Sequence, residues 1–168
     1  QVKIKKFLFA SSGAVYGVQP SDITHLKETY LGAPSTTAAD AAYGVSKRYA
    51  EFLGSARAKQ SGFDFKIARC FAFTGKYLNQ DGSFAIANFI KDAQNSKVIE
   101  VKGDGIPLRS YLYADDLIVW LLQILINGKN HHAYNVGSDQ DLNIKSLAYK
   151  VTETLNPDVQ INVHQNPK

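Results

Sequence analysis

The sequence predicts an α/β protein, and three observations carry that reading. An apolar run closed by small polar residues, "KFLFASS" at 6–12, is followed by a helical stretch ending near Gln60 and by a second apolar run, "DFKIARCFAF" at 64–73. Strand, helix, strand is the order of a crossover between parallel strands. The first is a short continuous apolar run and the second alternates at its start and is continuous after it, as buried strands do. Beyond them short strand-like and helix-like stretches keep alternating to the end of the chain. Two lobes are expected: 1–75 with half of a parallel sheet, and 76–168 as a smaller α/β lobe.

The elements follow in order. "KFLFASS" reads as a buried strand ending at its carboxyl edge, and an irregular Gly/Pro/Ser-rich segment runs from it to about residue 38. Asp40 is placed to cap the next helix, and Gly62 in "SGF" suits its stop. After the strand at 64–73 come a helix at 83–95, a strand "KVIEV", a "KGDG" turn and a strand "RSYLY". An apolar helix from Asp115 or Asp116 to about Ile126, a strand near "AYNVG", a helix from Ile144 to Leu155 and a strand "VQINVH" complete the chain. "GDG" at 103–105 reads as a tight turn between strands, not a phosphate cradle.

Composition narrows the function classes. Of the 168 residues, 45% are hydrophobic and 20% charged, ordinary for a globular domain with a core. The net charge of +4 is mild and the basic residues are scattered, so no nucleic-acid footprint is expected. The longest apolar stretch, 117–126, is about half the ~20 residues a membrane span needs. Cys70 is the single cysteine and cannot form an internal disulfide, which favours a reducing compartment, the cytoplasm by default. The chain opens on Gln1 and contains no methionine, so a piece of a longer protein is expected.

One pair of residues points to chemistry. In "AYGVSKRYA" at 42–50, Tyr43 precedes Lys47 by four, a spacing that stacks two side chains on one helix face. A phenol ionises at about pH 10 and needs a cation beside it to trade protons near neutrality, which Lys47 supplies. Ser11 and Ser12 stand where the first strand ends, the place at which open α/β sheets contact ligands. Packing of Tyr43 on the sheet, a snorkelling Lys47 and plain loop hydrogen bonds for the serines are the competing readings. The adjacent His131 and His132 have no acidic or cysteine partner at ligand spacing and read as a loop, not a metal site.

Five ordered motifs, "FLFASSGAVYG", "AAYGVSKRYAE", "KIARCFAFTG", "VKGDGIPLRSYLYADDL" and "AYNVGS", resemble the second part of the extended short-chain dehydrogenase/reductases acting on nucleotide sugars. These are the NAD-dependent epimerases, dehydratases, decarboxylases and 4-ketoreductases. The resemblance implies the C-terminal part of a Rossmann-like parallel sheet plus a smaller substrate-binding lobe. It makes Tyr43 the acid/base, has Lys47 lower its pKa and hold the nicotinamide ribose, and has Ser12 hydrogen-bond the reacting oxygen. Ser11 is the less favoured alternative, placed with Tyr43 and Lys47 beside an NAD or NADP cofactor. Arg109 matches the arginine that clamps the substrate's diphosphate, while Asp115 and Asp116 cap the following helix. A nucleotide-sugar substrate and homo-oligomers follow as expected partners, without nucleic acid or membrane.

Departures from the family narrow the reaction. The dehydratases carry an Asp-Glu pair after the Ser/Thr, and the decarboxylases keep the Glu; here stand Gly13 and Ala14, which move no proton. Epimerisation or ketone reduction at the sugar C4 needs only the Ser, Tyr and Lys set. Ala72 replaces the asparagine that many relatives hold against the phosphates, which shifts substrate placement towards Asn88 or Lys76. No glycine-rich dinucleotide loop occurs in the sequence, so the chain alone is expected to be catalytically silent. The alternatives are a 4,6-dehydratase of the same family and a non-catalytic module that binds a nucleotide sugar or a partner.

Overall fold

The computed structural model describes residues 3–80 and 84–165. They form two compact units that are discontinuous in sequence: Gln1–Phe71 with Asp115–Gly137, and Ala72–Ala114 with Ser138–Lys168. Residues 115–137 therefore belong with the first part of the chain, an arrangement that no single cut near residue 75 describes.

The first unit is built on strands β1 (Lys6–Ser12), β2 (Asp64–Cys70) and β6 (Ala133–Val136), all parallel, in the order β1-β2-β6. Helix α1 (Ala42–Ser61) connects β1 to β2, and Gly62 ends it in the left-handed conformation (φ 71°), its amide bonded to the Ala58 carbonyl. Asp40 does not cap this helix. It lies inside a 3-10 turn, Ala39–Ala41, which runs straight into α1 and leaves no N-cap position for its carboxylate.

Register and alternation sort the side chains of the sheet. Phe7, Phe9 and Ser11 on β1 align with Phe65, Ile67 and Arg69 on β2 and share one face. That face meets α1: a Cβ on Gly54 would lie 2.2 Å from the Phe65 ring, and Ala58, Phe65 and Ile67 form one buried cluster. Phe7 and Phe9 stack on Phe65 at 5.9 and 6.5 Å. Helix α3 (Ala114–Asn127) ends over the other face, where Lys6 Nζ donates to the Ile126 carbonyl (2.6 Å) and Tyr134 Oη accepts from the Lys129 amide (2.7 Å). Asp115 and Asp116 lie within its first turn, where their charge suits the helix dipole.

The strand expected at 64–73 is interrupted. Phe71 still bonds its amide to the Val136 carbonyl, and beyond it β3 (Ala72–Thr74) pairs in a different sheet with β5 (Leu108–Tyr113). β5 also pairs, antiparallel, with β7 (Asp141–Asn143), a strand too short to show in the residue pattern. β4 (Ile99–Val101) pairs with β8 (Ile161–Val163), so the Gly103–Gly105 turn joins strands of separate sheets and is not a hairpin. Helices α2 (Ala85–Gln94) and α4 (Ile144–Leu155) pack on β4 through Ile86, Phe89, Leu147 and Val151. The expected start of α2 at residue 83 lies outside the described residues. Among the described residues no helix is long and apolar enough to cross a membrane.

Candidate active site

β1 ends on two serines that point to opposite faces. Ser11 is buried, 4% exposed, and its Oγ donates to Glu51 Oε1 on α1 at 2.6 Å. The proton of the Ser11 hydroxyl is therefore spent on Glu51. Ser12 Oγ accepts from the Ala14 amide (3.2 Å) and caps the 3-10 turn Gly13–Tyr16. Among the described residues its own proton has no acceptor, which leaves one hydrogen bond for a ligand oxygen.

Tyr43 lies in the first turn of α1, 57% exposed, and its hydroxyl has no hydrogen-bond partner among the described residues. One turn on, Lys47 Nζ stands 5.9 Å from the centre of the Tyr43 ring, 5.1 Å from that of Phe9, and donates to the Ala10 carbonyl at 2.9 Å. An ammonium has three donors, so two remain for a ligand. The glycine between these residues has a physical reason. A Cβ on Gly44 would lie 2.5 Å from the Ala14 carbonyl oxygen, so the turn that follows Ser12 and the turn that carries Tyr43 meet backbone to backbone. Arg48 ties the same elements by donating to the carbonyls of Val15 (3.0 Å) and Gly32 (2.9 Å).

Sequence reasoning missed the polar network beneath this set. Arg69 meets Glu51 side-on, Nε to Oε1 at 3.0 Å and Nη2 to Oε2 at 2.7 Å, and its guanidinium lies 4.8 Å from the Tyr16 ring centre. Burial works against the Arg69 charge, but the bonds to Glu51 and contact with Tyr16 outweigh it and hold the pKa above the usual arginine value. Tyr16 Oη donates to Asn135 Oδ1 (2.7 Å), and Asn135 accordingly bonds Glu28 and Leu26 of the irregular segment. The signal was present: Arg69 follows Phe65 and Ile67 at a spacing of two, which puts a cation on the face that α1 covers and demands a counter-charge there.

Cys70 borders the set. Burial pushes its thiol up, and the charge of Lys47 pulls the other way. Arg109, Asn88 and Lys76 belong to the second unit. Arg109 lies on β5 with Nη1 donating to the Leu108 carbonyl (2.7 Å), and its charge acts on Tyr111, whose phenol is raised mainly by burial. Asn88 is half-buried on α2, and Lys76 Nζ lies 5.5 Å from the Tyr77 ring centre. His131 sits at positive φ (58°) in the loop before β6, and no group of three or more metal-ligating side chains occurs among the described residues.

The sequence profile described as the NAD dependent epimerase/dehydratase family matches residues 1–137. The chain is 30% identical over 162 residues to UDP-glucuronic acid decarboxylase 6 of Arabidopsis thaliana, covering 96% of this chain and 46% of that protein. Its fold is similar to that of UDP-glucose 4-epimerase of Thermotoga maritima, solved with UDP-glucose (TM-score 0.85, 21% identity, 98% of this chain and 51% of that one). It is similar also to UDP-glucuronic acid 4-epimerase of Bacillus cereus, solved with NAD (TM-score 0.81, 25% identity, 98% and 50%). The chain thus spans about half the length of the curated relatives it matches.

Proposed function

The chain belongs to the NAD dependent epimerase/dehydratase family, and from that premise we propose that it carries the proton-transfer residues and substrate lobe of a nicotinamide-dependent nucleotide-sugar 4-epimerase or 4-ketoreductase. The observation that carries this reading is the set at the end of β1 and the start of α1. Among the described residues the Ser12 proton and the Tyr43 hydroxyl have no partner, and Lys47 holds an anchored ammonium 5.9 Å from the centre of the phenol ring.

Each residue has a stated task. Tyr43 exchanges a proton with the C4 oxygen of the sugar, and Ser12 donates a hydrogen bond to the same oxygen. Lys47 sets a positive charge beside the phenol, and its two remaining donors suit ribose hydroxyls. The nicotinamide, NAD or NADP, supplies or accepts the hydride when bound. Its seat is only partly met by this chain, because the sequence has no glycine-rich loop for the dinucleotide diphosphate. Arg109, with Asn88 or Lys76, is the proposed clamp for the sugar nucleotide's diphosphate. Exposed Tyr49, Phe52 and Leu53 on α1 support a homo-oligomer, and unpaired Cys70 supports the cytoplasm.

A second reading, decarboxylation, is favoured by the names of the curated relatives. It lacks a carboxylate after Ser12. Gly13 and Ala14 provide none, and a Cβ at Gly13 would lie 2.6 Å from the Phe71 ring.

The test is a calorimetric titration of the chain with UDP-, dTDP-, CDP- and GDP-sugars, then an NMR assay of C4 inversion or reduction with NAD(H) and NADP(H). The assay is run on the chain alone and with a glycine-loop half supplied. Binding of one nucleotide class, silence alone, and turnover with the loop half that Tyr43→Phe cuts by about 10²–10⁴-fold are expected. Binding of no nucleotide sugar, turnover by the chain alone, or turnover indifferent to Tyr43→Phe would overturn the proposal at that point.

A further inference from the structure

Ser12 and Tyr43 can serve one oxygen only if β1 and α1 keep a constant relation, and the covalent path between them is mostly the irregular segment before residue 39. Noncovalent links must hold it. Lys47 to the Ala10 carbonyl is one, but that lysine is itself a working residue. Arg48 to the Val15 carbonyl is another, and the buried link that touches the neighbour of Ser12 itself is Ser11 to Glu51, at 2.6 Å. Ser11 is the neighbour of Ser12, and Glu51 lies four residues past Lys47 and eight past Tyr43 on the same side of α1.

Glu51 is in turn immobilised. Glu51 is 6% exposed and its carboxylate takes both bonds of the Arg69 fork, while Arg69 is the register partner of Ser11 on β2. Arg69 is held from the far side by the Tyr16 ring, the last residue of the turn that Ser12 caps, and Tyr16 is bonded to Asn135 on β6. The circuit closes through all three strands, the turn and the helix. Rotation of α1 about its axis, the motion that would swing the Tyr43 phenol away from Ser12, breaks the Ser11 to Glu51 bond and opens the Arg69 fork.

We propose that Glu51, clamped by Arg69 and bonded to Ser11, is a positioning residue that sets the distance between the Ser12 hydroxyl and the Tyr43 phenol. The inference rests on the catalytic reading of Ser12, Tyr43 and Lys47. Positioning at this level is a sensitive lever, because a misplacement of about 1 Å costs on the order of 10²-fold in rate.

The test separates position from stability. Glu51→Gln keeps the shape and an acceptor for Ser11 but loses the charge. Since removing one partner of a buried pair can unfold a protein, the double variant Glu51→Leu with Arg69→Met replaces both by apolar groups of similar size, a change that often keeps stability. In the 168-residue chain, the Tyr43 ring and Ala14 amide NMR signals, neither belonging to a residue that bonds Glu51, are expected to move in both variants. With the glycine-loop half supplied, kcat is expected to fall about 10- to 10²-fold while the KM for the nucleotide sugar stays within about twofold. A folded double variant with unmoved signals and unchanged kcat would overturn the proposal and leave Glu51 a purely structural residue. If Tyr43→Phe leaves turnover intact, the catalytic reading fails, while the NMR shifts still report whether Glu51 sets the geometry.

Discussion

Gly44 offers a sharp test of how the site is assembled. In an exposed helix interior, alanine is favoured over glycine by about 1 kcal/mol, so Gly44→Ala should stabilise α1 if nothing opposes it. Here the new Cβ would stand 2.5 Å from the Ala14 carbonyl oxygen and 3.2 Å from Pro34 Cγ. To reach even a tight contact, helix and turn must part by about half an ångström. The turn yields poorly, because Val15 and Tyr16 are fully buried and Arg48 grips the Val15 carbonyl. Overpacking of this kind costs about 1–3 kcal/mol. Set against the helix gain, the net is a loss of up to about 2 kcal/mol, a fall in Tm of up to roughly 8 °C for a chain of this size, in place of the gain of about 1 kcal/mol that an unopposed alanine would bring. Urea unfolding and thermal melting followed by circular dichroism measure it. An alanine variant more stable than the parent by the full helix gain of about 1 kcal/mol would refute the claim that the α1 and Ser12 turns meet backbone to backbone.

Three further expectations follow from the same geometry. Phe65→Ala removes the ring packed on Gly54 and stacked with Phe7 and Phe9, and should cost about 3–5 kcal/mol in urea unfolding; a loss under 1 kcal/mol would deny Phe65 its place in the core. Arg109→Ala should weaken nucleotide-sugar binding about 10- to 100-fold by calorimetry, with Arg109→Lys recovering only part because an ammonium lacks the planar fork; equal affinities would remove Arg109 from the substrate site. Burial raises the Cys70 thiol against the pull of Lys47, so its alkylation rate should rise with pH at a midpoint above the ordinary thiol range, and higher still in Lys47→Ala. By linkage, the stability tied to this thiol is full below the unfolded thiol's pKa and is lost as pH rises through the folded one; a Cys70→Ser variant with the same alkaline stability profile as the parent would contradict this.

Much of the site was legible because its signals are local. Tyr43 and Lys47 share a helix face by spacing alone, and Gly62 ends that helix where a left-handed residue is needed. The two serines show where local reading stops. Neighbours on a strand point to opposite faces, so one hydroxyl is buried on Glu51 and the other keeps its proton, but which is which depends on the face α1 covers. Asp40 fails as a cap for a similar reason: a 3-10 turn runs directly into α1, and the composition of the segment does not reveal that continuity.

The sequence by itself determined the fold class, the stop of α1 at Gly62 and the shared helix face of Tyr43 and Lys47, since periodicity, turn chemistry and helical spacing act over a few residues. Tertiary structure alone decided that the chain leaves its first sheet at Phe71, that residues 115–137 rejoin the first unit, and that Arg69 finds its carboxylate on α1. Those outcomes depend on which distant strand or helix occupies a face or an edge. Backbone pairing and burial of charge are satisfied by partners that proximity along the chain does not specify.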